Sequence, residues 1–537
     1  MNDFFRDKQG NPLYLVGLQA HNSSTGTDML DKAIRAVQLY GGNVLETPIY
    51  WNAIEPEMGK YDMSLVQDTI DRARAAGLYL ILLWFATSKN GHPNYAPEYI
   101  KLDPATYRIA HGADGAPLPA LSPHCEATLE RDALAFETVM AFLKAYDGDV
   151  GTVLAVQIEN EMGLGGTDRD YSEIACADYA KPLPEALLDV ELADCGARDG
   201  SRTWRGHFGR HAHEAFCAWY HARYIGRIAE RGRAVYDGVK LITNVMVGEG
   251  SYEEAGHCYN SGAAVGRMIP IWKKGAPALD LLCPDIYNQE QSVYARICSL
   301  YAREDNALFI PESSPTGESN ALNLLRAAVD YGAIGVCGFV AESALDNAGD
   351  LTEAAYPVMV SMRILENLAP LLIRYRGTGR IHLLLQEEFA TRQYVKLDRY
   401  HVVAHYLRGG SLRHGLGSRI NLRLPENRRH LEARGRGILV QTGEDEFFLA
   451  GAGLALDFLR RPDPADENPY PHLASRQANQ LNFLSVEEGH FEGGKWVVDY
   501  LRNGDESNFS LYAHEGQVVR LRLNPNIGMD LRPAYWQ

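Results

Sequence analysis

Glu161 closes the apolar run VLAVQIENE (153–161), and Glu312 closes FIPE within the run LFIPES (308–313). A carboxylate at the end of a buried strand carries a desolvation cost that function usually explains. Two such groups suit cleavage of a glycosidic bond, which passes through an oxocarbenium-like transition state. One carboxyl protonates the departing oxygen, and the other attacks the anomeric carbon or directs water at it. Asn160, immediately before Glu161, can hydrogen-bond a sugar 2-hydroxyl, a contact that tightens in that transition state.

Two acids 151 residues apart can meet only if the fold brings their strands together. Eight short apolar runs span the first two-thirds of the chain, at 13–19, 43–50, 78–85, 153–161, 240–246, 279–287, 308–313 and 334–341. Several are continuously apolar rather than alternating, as expected of parallel strands buried on both faces. Helical patterns separate most of them. Thr27 can cap a helix carrying Leu30, Ile34, Val37 and Tyr40 before Gly41-Gly42; Asp62 can cap one carrying Val66, Ile70 and Ala73 before Gly77. A β-α alternation through eight strands predicts a (β/α)8 TIM barrel. A doubly wound sheet is the alternative, but no Gly-x-Gly-x-x-Gly turn follows a candidate first strand.

Several runs end in acids, amides or aromatics: Gln19 and His21, Tyr50 and Trp51, Asn160 and Glu161, Asn244, Asp285 and Tyr287, Glu312, and Glu342. Barrel chemistry gathers at that face. Residues 163–219 exceed an ordinary loop and are expected to form an active-site wall or an oligomer contact. From about Arg374 the pattern changes to short strands: IHLLLQ, YVKL, HVVAHYL, GILVQTGEDEFFLA, KWVVDYL, NFSLYA and VVRLRL. These predict a C-terminal all-β, sandwich-like domain over 368–537, after a catalytic barrel over 1–367.

Composition removes other classes. A net charge of −17 over 537 residues leaves nothing to neutralise phosphates, which argues against a nucleic-acid partner. With 46% hydrophobic residues and no apolar run of membrane-spanning length, no membrane partner is expected. The N-terminus lacks the basic and apolar segments of a secretory signal, so a cytoplasmic location is expected, or a periplasmic one if a signal has been removed. Eight cysteines form no Cys-x-x-Cys pair and no His-x-His follows the first run, so no metal and no cofactor are expected.

VQIENEMG resembles the acid/base strand of glycoside hydrolase families 35 and 42, both β-galactosidases, in which an Asn-Glu pair follows such a strand. GGNVLETPIYWNAIEPEMGKYD resembles their second-strand region, and LITNVM, ending near Asn244, resembles the fifth strand of family 42. The likeness reaches about residue 365. It implies a retaining mechanism, with Glu161 as acid/base, Glu312 as nucleophile and Tyr287 orienting the nucleophile. Three departures stand out. Thr47 is followed by Pro48 where family 35 has a tyrosine. The third-strand loop TSKNGHP offers Lys89 and Asn90 where that family has an acid reading galactose hydroxyls. The cysteine zinc cluster of family 42 is absent.

The expected activity is exo-acting removal of terminal β-galactose from oligosaccharides, with a β-glucosidase, β-mannosidase or transglycosylase as the alternative. A catalytically silent carbohydrate-binding protein is the third reading, against which both retained carboxylates and Asn160 argue. Asn160, Tyr287, Asn244, Glu342 and Asn90 are expected to bind substrate. Trp51, Trp84 and Phe339 are expected as platforms for sugar C–H faces. The partner is an oligosaccharide or glycoside, and a homo-oligomer is compatible with the sequence.

Overall fold

The computed structural model describes residues 4–248, 253–388, 390–406, 434–461, 481–503, 511–513 and 515–528. Its backbone divides into two compact units: 1–37, 43–314 and 333–343 form the first; 38–42, 315–332 and 344–537 form the second.

The first unit holds all eight strands of the expected barrel, but not the whole of the expected span 1–367. Its strands are β1 (Leu15–Gln19), β2 (Val44–Tyr50), β3 (Tyr79–Lys89), β4 (Val153–Asn160), β5 (Lys240–Met246), β6 (Leu281–Asp285), β7 (Phe309–Ile310) and β8 (Gly335–Phe339). They pair in parallel in the order β6-β5-β4-β3-β2-β1-β8-β7. An isolated parallel bridge, Ile286 to Ser313, joins the two ends of the sheet, with the Ile286 N–H donating to the Glu312 carbonyl at 2.9 Å. Nearly every strand residue is buried, because helices cover the outside and side chains fill the inside.

The helices form where the apolar spacing predicts them. α1 (Asp28–Tyr40) buries Leu30, Ile34, Val37 and Tyr40, and the Thr27 hydroxyl accepts the Met29 N–H at 3.1 Å. α2 (Ser64–Ala75) buries Val66, Ile70 and Ala73. Asp62 caps it from one residue further out than expected, accepting the Ser64 N–H at 2.9 Å. Gly77 ends that turn with φ 72°, which a side chain would resist. The stretch after β4 contains two short helices, Glu173–Tyr179 and Trp204–Phe208, and yields to the long helix Ala212–Val235, which begins seven residues before the expected end of the insertion at 219.

Among the described residues of the second unit, two antiparallel sheets share one core. One has six strands, in the order Ile381–Leu385, Arg436–Gln441, Glu446–Ala452, Val518–Gly528, Leu481–Glu492, Lys495–Leu501; the other has four, Arg392–Lys396, Tyr400–Tyr406, Leu454–Arg460, Leu511–Ala513. Leu439, Phe447, Leu449 and Leu521 from the first pack against Tyr400, Val402, Leu456 and Phe458 from the second, as in a sandwich. The strands Leu454–Arg460 and Leu481–Glu492 escaped the sequence reading, while Leu407 of HVVAHYL and residues 508–510 of NFSLYA lie outside the described residues. The unit also holds the helices Glu318–Asp330 and Tyr356–Asn367. Arg436, wholly buried, donates to the Ser361 hydroxyl at 2.9 Å and to the Pro357 carbonyl at 2.8 Å.

Among the described residues no helix is long and apolar enough to cross a membrane.

Candidate active site

At the carboxyl ends of the barrel strands, β4 breaks its own geometry. Glu159 and Glu161 both have positive φ, 60° and 47°, with Asn160 between them. Two non-glycine residues in the left-handed region within three positions cost energy that the surroundings must over-determine. They do so on both sides of Glu161. Its N–H donates to Asn244 Oδ1 at 2.9 Å, and its carbonyl accepts from Asn260 Nδ2 at 2.8 Å. This turn aims the Glu161 carboxyl into the barrel mouth, where it lies 5% exposed.

Glu312 sits two residues past β7, its backbone pinned by the Ile286 hydrogen bond, and its side chain is 3% exposed. The carboxylate collects three donors: Gln19 Nε2 at 3.0 Å and Asn244 Nδ2 at 3.2 Å on one oxygen, the Tyr287 hydroxyl at 2.5 Å on the other. Asp285, at the end of β6 and 2% exposed, is the third carboxyl. Glu161, Asp285 and Glu312 each place an oxygen within 4.8 Å of the others, the one such group of acidic or metal-ligating side chains among the described residues. Neither histidine nor thiolate joins the group.

Asn244 organises the cluster. Its Nδ2 faces Asp285 Oδ2 at 2.9 Å, Glu312 Oε1 at 3.2 Å and Asn160 Oδ1 at 3.1 Å. Asn160 in turn donates to Asn90 Oδ1 at 3.0 Å, which also accepts from Lys89 Nζ at 2.7 Å. The Lys89 ammonium lies 5.3 Å from the Phe85 ring centre and 6.0 Å from that of Phe339.

Burial, and then the Glu312 charge, raise the Glu161 pKa to about 7, while Lys89 and a hydrogen bond with Asp285 pull it down. Removal from water is the larger of the two causes. Asp285 is pushed well above the usual carboxylate range by burial, then by Glu312 and Glu161. Glu161 is thus poised to hold a proton near neutrality, beside the Glu312 carboxyl and its donors.

The structure brings Glu161, Glu312, Asn160, Asn244, Tyr287 and Asn90 into this one network. Glu342 stands at the end of β8, where it accepts the His21 N–H at 3.1 Å and the Ser24 hydroxyl, anchoring the loop after β1. Trp51 and Trp84 are corrections. Both are 0% exposed, and their indole N–H groups donate to Glu55 and Asp132, each at 2.8–2.9 Å. They are core residues that offer no face to a sugar. Phe339 stays partly exposed, its ring stacked on His21 at 6.1 Å.

Gln19 and Asp285 had been noted only as strand ends, and Asn260 not at all. The signal for Asp285 was its place two residues before Tyr287. Asn260 is 99 residues from Glu161 and left no trace in the pattern.

Comparison with known proteins adds to this geometry. Residues 23–224 match the beta-galactosidase model of glycoside hydrolase family 42, and residues 359–512 match a domain family of unknown function. A beta-galactosidase of Xanthomonas manihotis is 27% identical over 198 residues, which cover 34% of this chain and 29% of that protein. The chain therefore spans under a third of that curated relative. Solved beta-galactosidases of Marinomonas ef1 and Bacillus circulans sp. alkalophilus superpose with TM-scores of 0.48 and 0.49, at 13% and 14% identity. Each covers 67% of this chain, and 60% and 57% of the respective structure. An exo-beta-1,4-mannosidase of Opitutaceae bacterium strain TAV5 gives 0.43 at 14% identity, covering 67% of this chain and 61% of that one.

Proposed function

We propose that this chain is a retaining, exo-acting glycoside hydrolase that removes terminal β-galactose from oligosaccharides. The observation that carries the reading is the pairing of Glu161 and Glu312. Their oxygens approach within 4.8 Å across the barrel mouth, one group holding a proton near pH 7 and the other surrounded by donors. Direct attack needs carboxyls about 5–5.5 Å apart, whereas admitting water between them needs roughly 6.5–9.5 Å.

In the first step the Glu312 carboxylate attacks the anomeric carbon, and the Glu161 proton passes to the departing glycosidic oxygen. A covalent glycosyl-enzyme results. In the second step Glu161, now a carboxylate, takes a proton from the water that displaces Glu312, and the sugar leaves with its original configuration. The Tyr287 hydroxyl orients the nucleophile. Asn160 offers its amide beside the acid/base. Galactose is the first sugar to test because the matched family and the Xanthomonas manihotis relative are both described as beta-galactosidases.

Lys89 and Asn90 at the rim favour a second reading, a β-glucosidase, β-mannosidase or transglycosylase, since donors rather than a carboxylate meet the sugar there. A panel of 4-nitrophenyl β-glycosides differing only in the sugar separates the readings. The galactoside is expected to turn over fastest, with measurable cleavage of one other sugar. Turnover of the glucoside or mannoside with none of the galactoside overturns the first. NMR of the first-formed product should show the β-anomer, and release of the α-anomer overturns retention.

A further inference from the structure

The cluster contains one carboxyl more than a double displacement uses. We propose that Asp285 is a standing hydrogen-bond donor to Glu161, a positioning residue that keeps its own proton throughout the cycle and stabilises the Glu161 carboxylate whenever that group has given its proton away. The proposal rests on the assignment of Glu161 as acid/base.

The argument begins with a count of donors. Glu312 accepts from Gln19 and Tyr287 and shares the two Asn244 amide hydrogens with Asp285 and Asn160. Asp285 accepts one N–H, from Asn244, on Oδ2, and its buried Oδ1 meets no donor. A buried carboxylate oxygen left without a donor loses its hydration with nothing in return. Three carboxyls within 4.8 Å cannot all ionise, so the negative charge belongs where the donors are, on Glu312. Asp285 and Glu161 then face each other with a proton between them.

Every charged or titratable group facing Asp285 fits this arrangement. Glu161 just past β4 and the charge of Glu312 beyond β7 oppose its ionisation, and the Lys89 ammonium at the end of β3 counters them only in part. From its own side come the Cys283 thiol and the Tyr287 and Tyr301 hydroxyls, all held neutral by burial. The hydrogen bond between the pair acts in opposite senses: it favours the charged form of Glu161 and the neutral form of Asp285. During bond cleavage the Glu161 proton goes to the leaving oxygen. The Asp285 O–H bond stays intact and its hydrogen bond to Glu161 becomes charge-assisted, hence stronger. When water attacks, Glu161 recovers a proton from it and the pair returns to its starting state.

The test uses the full chain with three variants. Asp285→Asn keeps the shape and an N–H donor but cannot titrate; Asp285→Ser keeps a short donor; Asp285→Ala keeps none. With 2,4-dinitrophenyl β-galactoside, whose leaving group needs no proton, the second step limits turnover. Asp285→Ala is expected to lose about 10–100-fold in kcat, with the basic limb of kcat/KM on the 4-nitrophenyl substrate moving up by about one pH unit, and Asp285→Asn is expected to restore most of both. If Asp285→Asn and Asp285→Ala are equally impaired with the limb unmoved, Asp285 only shapes the site and the proposal falls. A limb that moves down in Asp285→Asn shows that Asp285 was an anion, and also overturns it. Should Asp285→Ala not fold, Asp285→Ser against Asp285→Asn gives the same decision. Carbon-13 NMR of the side-chain carboxyls, assigned by loss of the signal in Asp285→Asn, is the readout independent of turnover. Asp285 protonated at pH 7 in a protein that cleaves no glycoside spares the pair and refutes the function; Asp285 ionised at pH 7 in an active enzyme does the reverse.

Discussion

Glu159 and Glu161 differ in position by two residues and in almost everything else. Both stand at the carboxyl end of β4, both have positive φ, and both pKa values are raised first by burial. The Glu159 carboxylate, however, is saturated from behind β3. It accepts the N–H groups of Ala86 at 3.3 Å, Thr87 at 2.9 Å and Ser88 at 2.8 Å, together with the Thr87 hydroxyl at 2.7 Å. It also shares a hydrogen bond with Asp132, itself held by Trp84 Nε1 at 2.9 Å and the Tyr224 hydroxyl at 3.1 Å. The Glu161 cluster opens on the mouth and leaves Asp285 Oδ1 unmet. A sealed, satisfied acid pair clamps the end of β3 that carries Lys89 and Asn90; an unsatisfied one is available for chemistry. Burial alone does not separate structure from catalysis here. The groups around each carboxyl do: backbone N–H groups of β3 around Glu159, two further carboxyls around Glu161.

That contrast predicts opposite mutant behaviour. The largest effect is expected at the mouth: Glu161→Ala and Glu312→Ala should each lower kcat/KM on 4-nitrophenyl β-galactoside by at least about 10³-fold, with circular dichroism and Tm unchanged. Glu161→Ala should retain more activity on the 2,4-dinitrophenyl substrate, which needs no acid. Wild-type-like turnover by either variant would break the assignment.

Glu159→Ala should act on stability instead. Removing the acceptor strands three backbone N–H groups, a loss of about 3 kcal/mol in chemical denaturation. If Tm holds while turnover collapses, the roles of the two glutamates have been reversed.

Acidity sharpens the comparison further. The competent, protonated form of Glu161 is present below about pH 7 and lost above it, so kcat/KM should fall tenfold per unit on that side. In Glu312→Gln a like charge is gone, so the Glu161 pKa should drop, though burial keeps it above the model-peptide range; NMR titration of that carboxyl measures it. A pKa unchanged or raised by the substitution would show that Glu312 was not ionised beside it.

A smaller effect concerns Glu46, fully buried inside the barrel and raised well above its ordinary 4.5 by burial. Folded Glu46 keeps its proton while the unfolded chain releases it. Native stability therefore declines as pH rises above 4.5, by about 1.4 kcal/mol per unit for this one group. Glu46→Gln has no such proton, so its stability relative to wild type should climb with pH at that slope, and a flat difference would show Glu46 ionised in the fold. The smallest expected effect is none: exhaustive chelation should leave turnover unchanged, and activity lost and then restored by zinc or another divalent ion would assign the carboxylate cluster to a metal.

The strands of the barrel were legible because burial on both faces demands unbroken apolar runs, and the acids ending them stood out against that background. All eight runs became strands, and Glu161 and Glu312 meet across the mouth. The sandwich was read less completely. Leu454–Arg460 follows Glu446–Ala452 after a single residue, so no turn cluster marked it as a separate strand.

Sequence by itself determined the barrel, the pair of carboxyls and the amide beside one of them, since these depend on periodicity and on residue type at strand ends. Tertiary structure alone decided which polar groups meet. Trp51 and Trp84 look like sugar platforms in a sequence and are core, each wholly buried with its indole N–H on Glu55 or Asp132. Asp285 looks like one more strand end and joins Glu161, because β4 and β6 both border the Asn244 amide on β5. Hydrogen bonds and charge act over a few ångströms, and residues 41 to 124 positions apart enter that range only when the barrel closes.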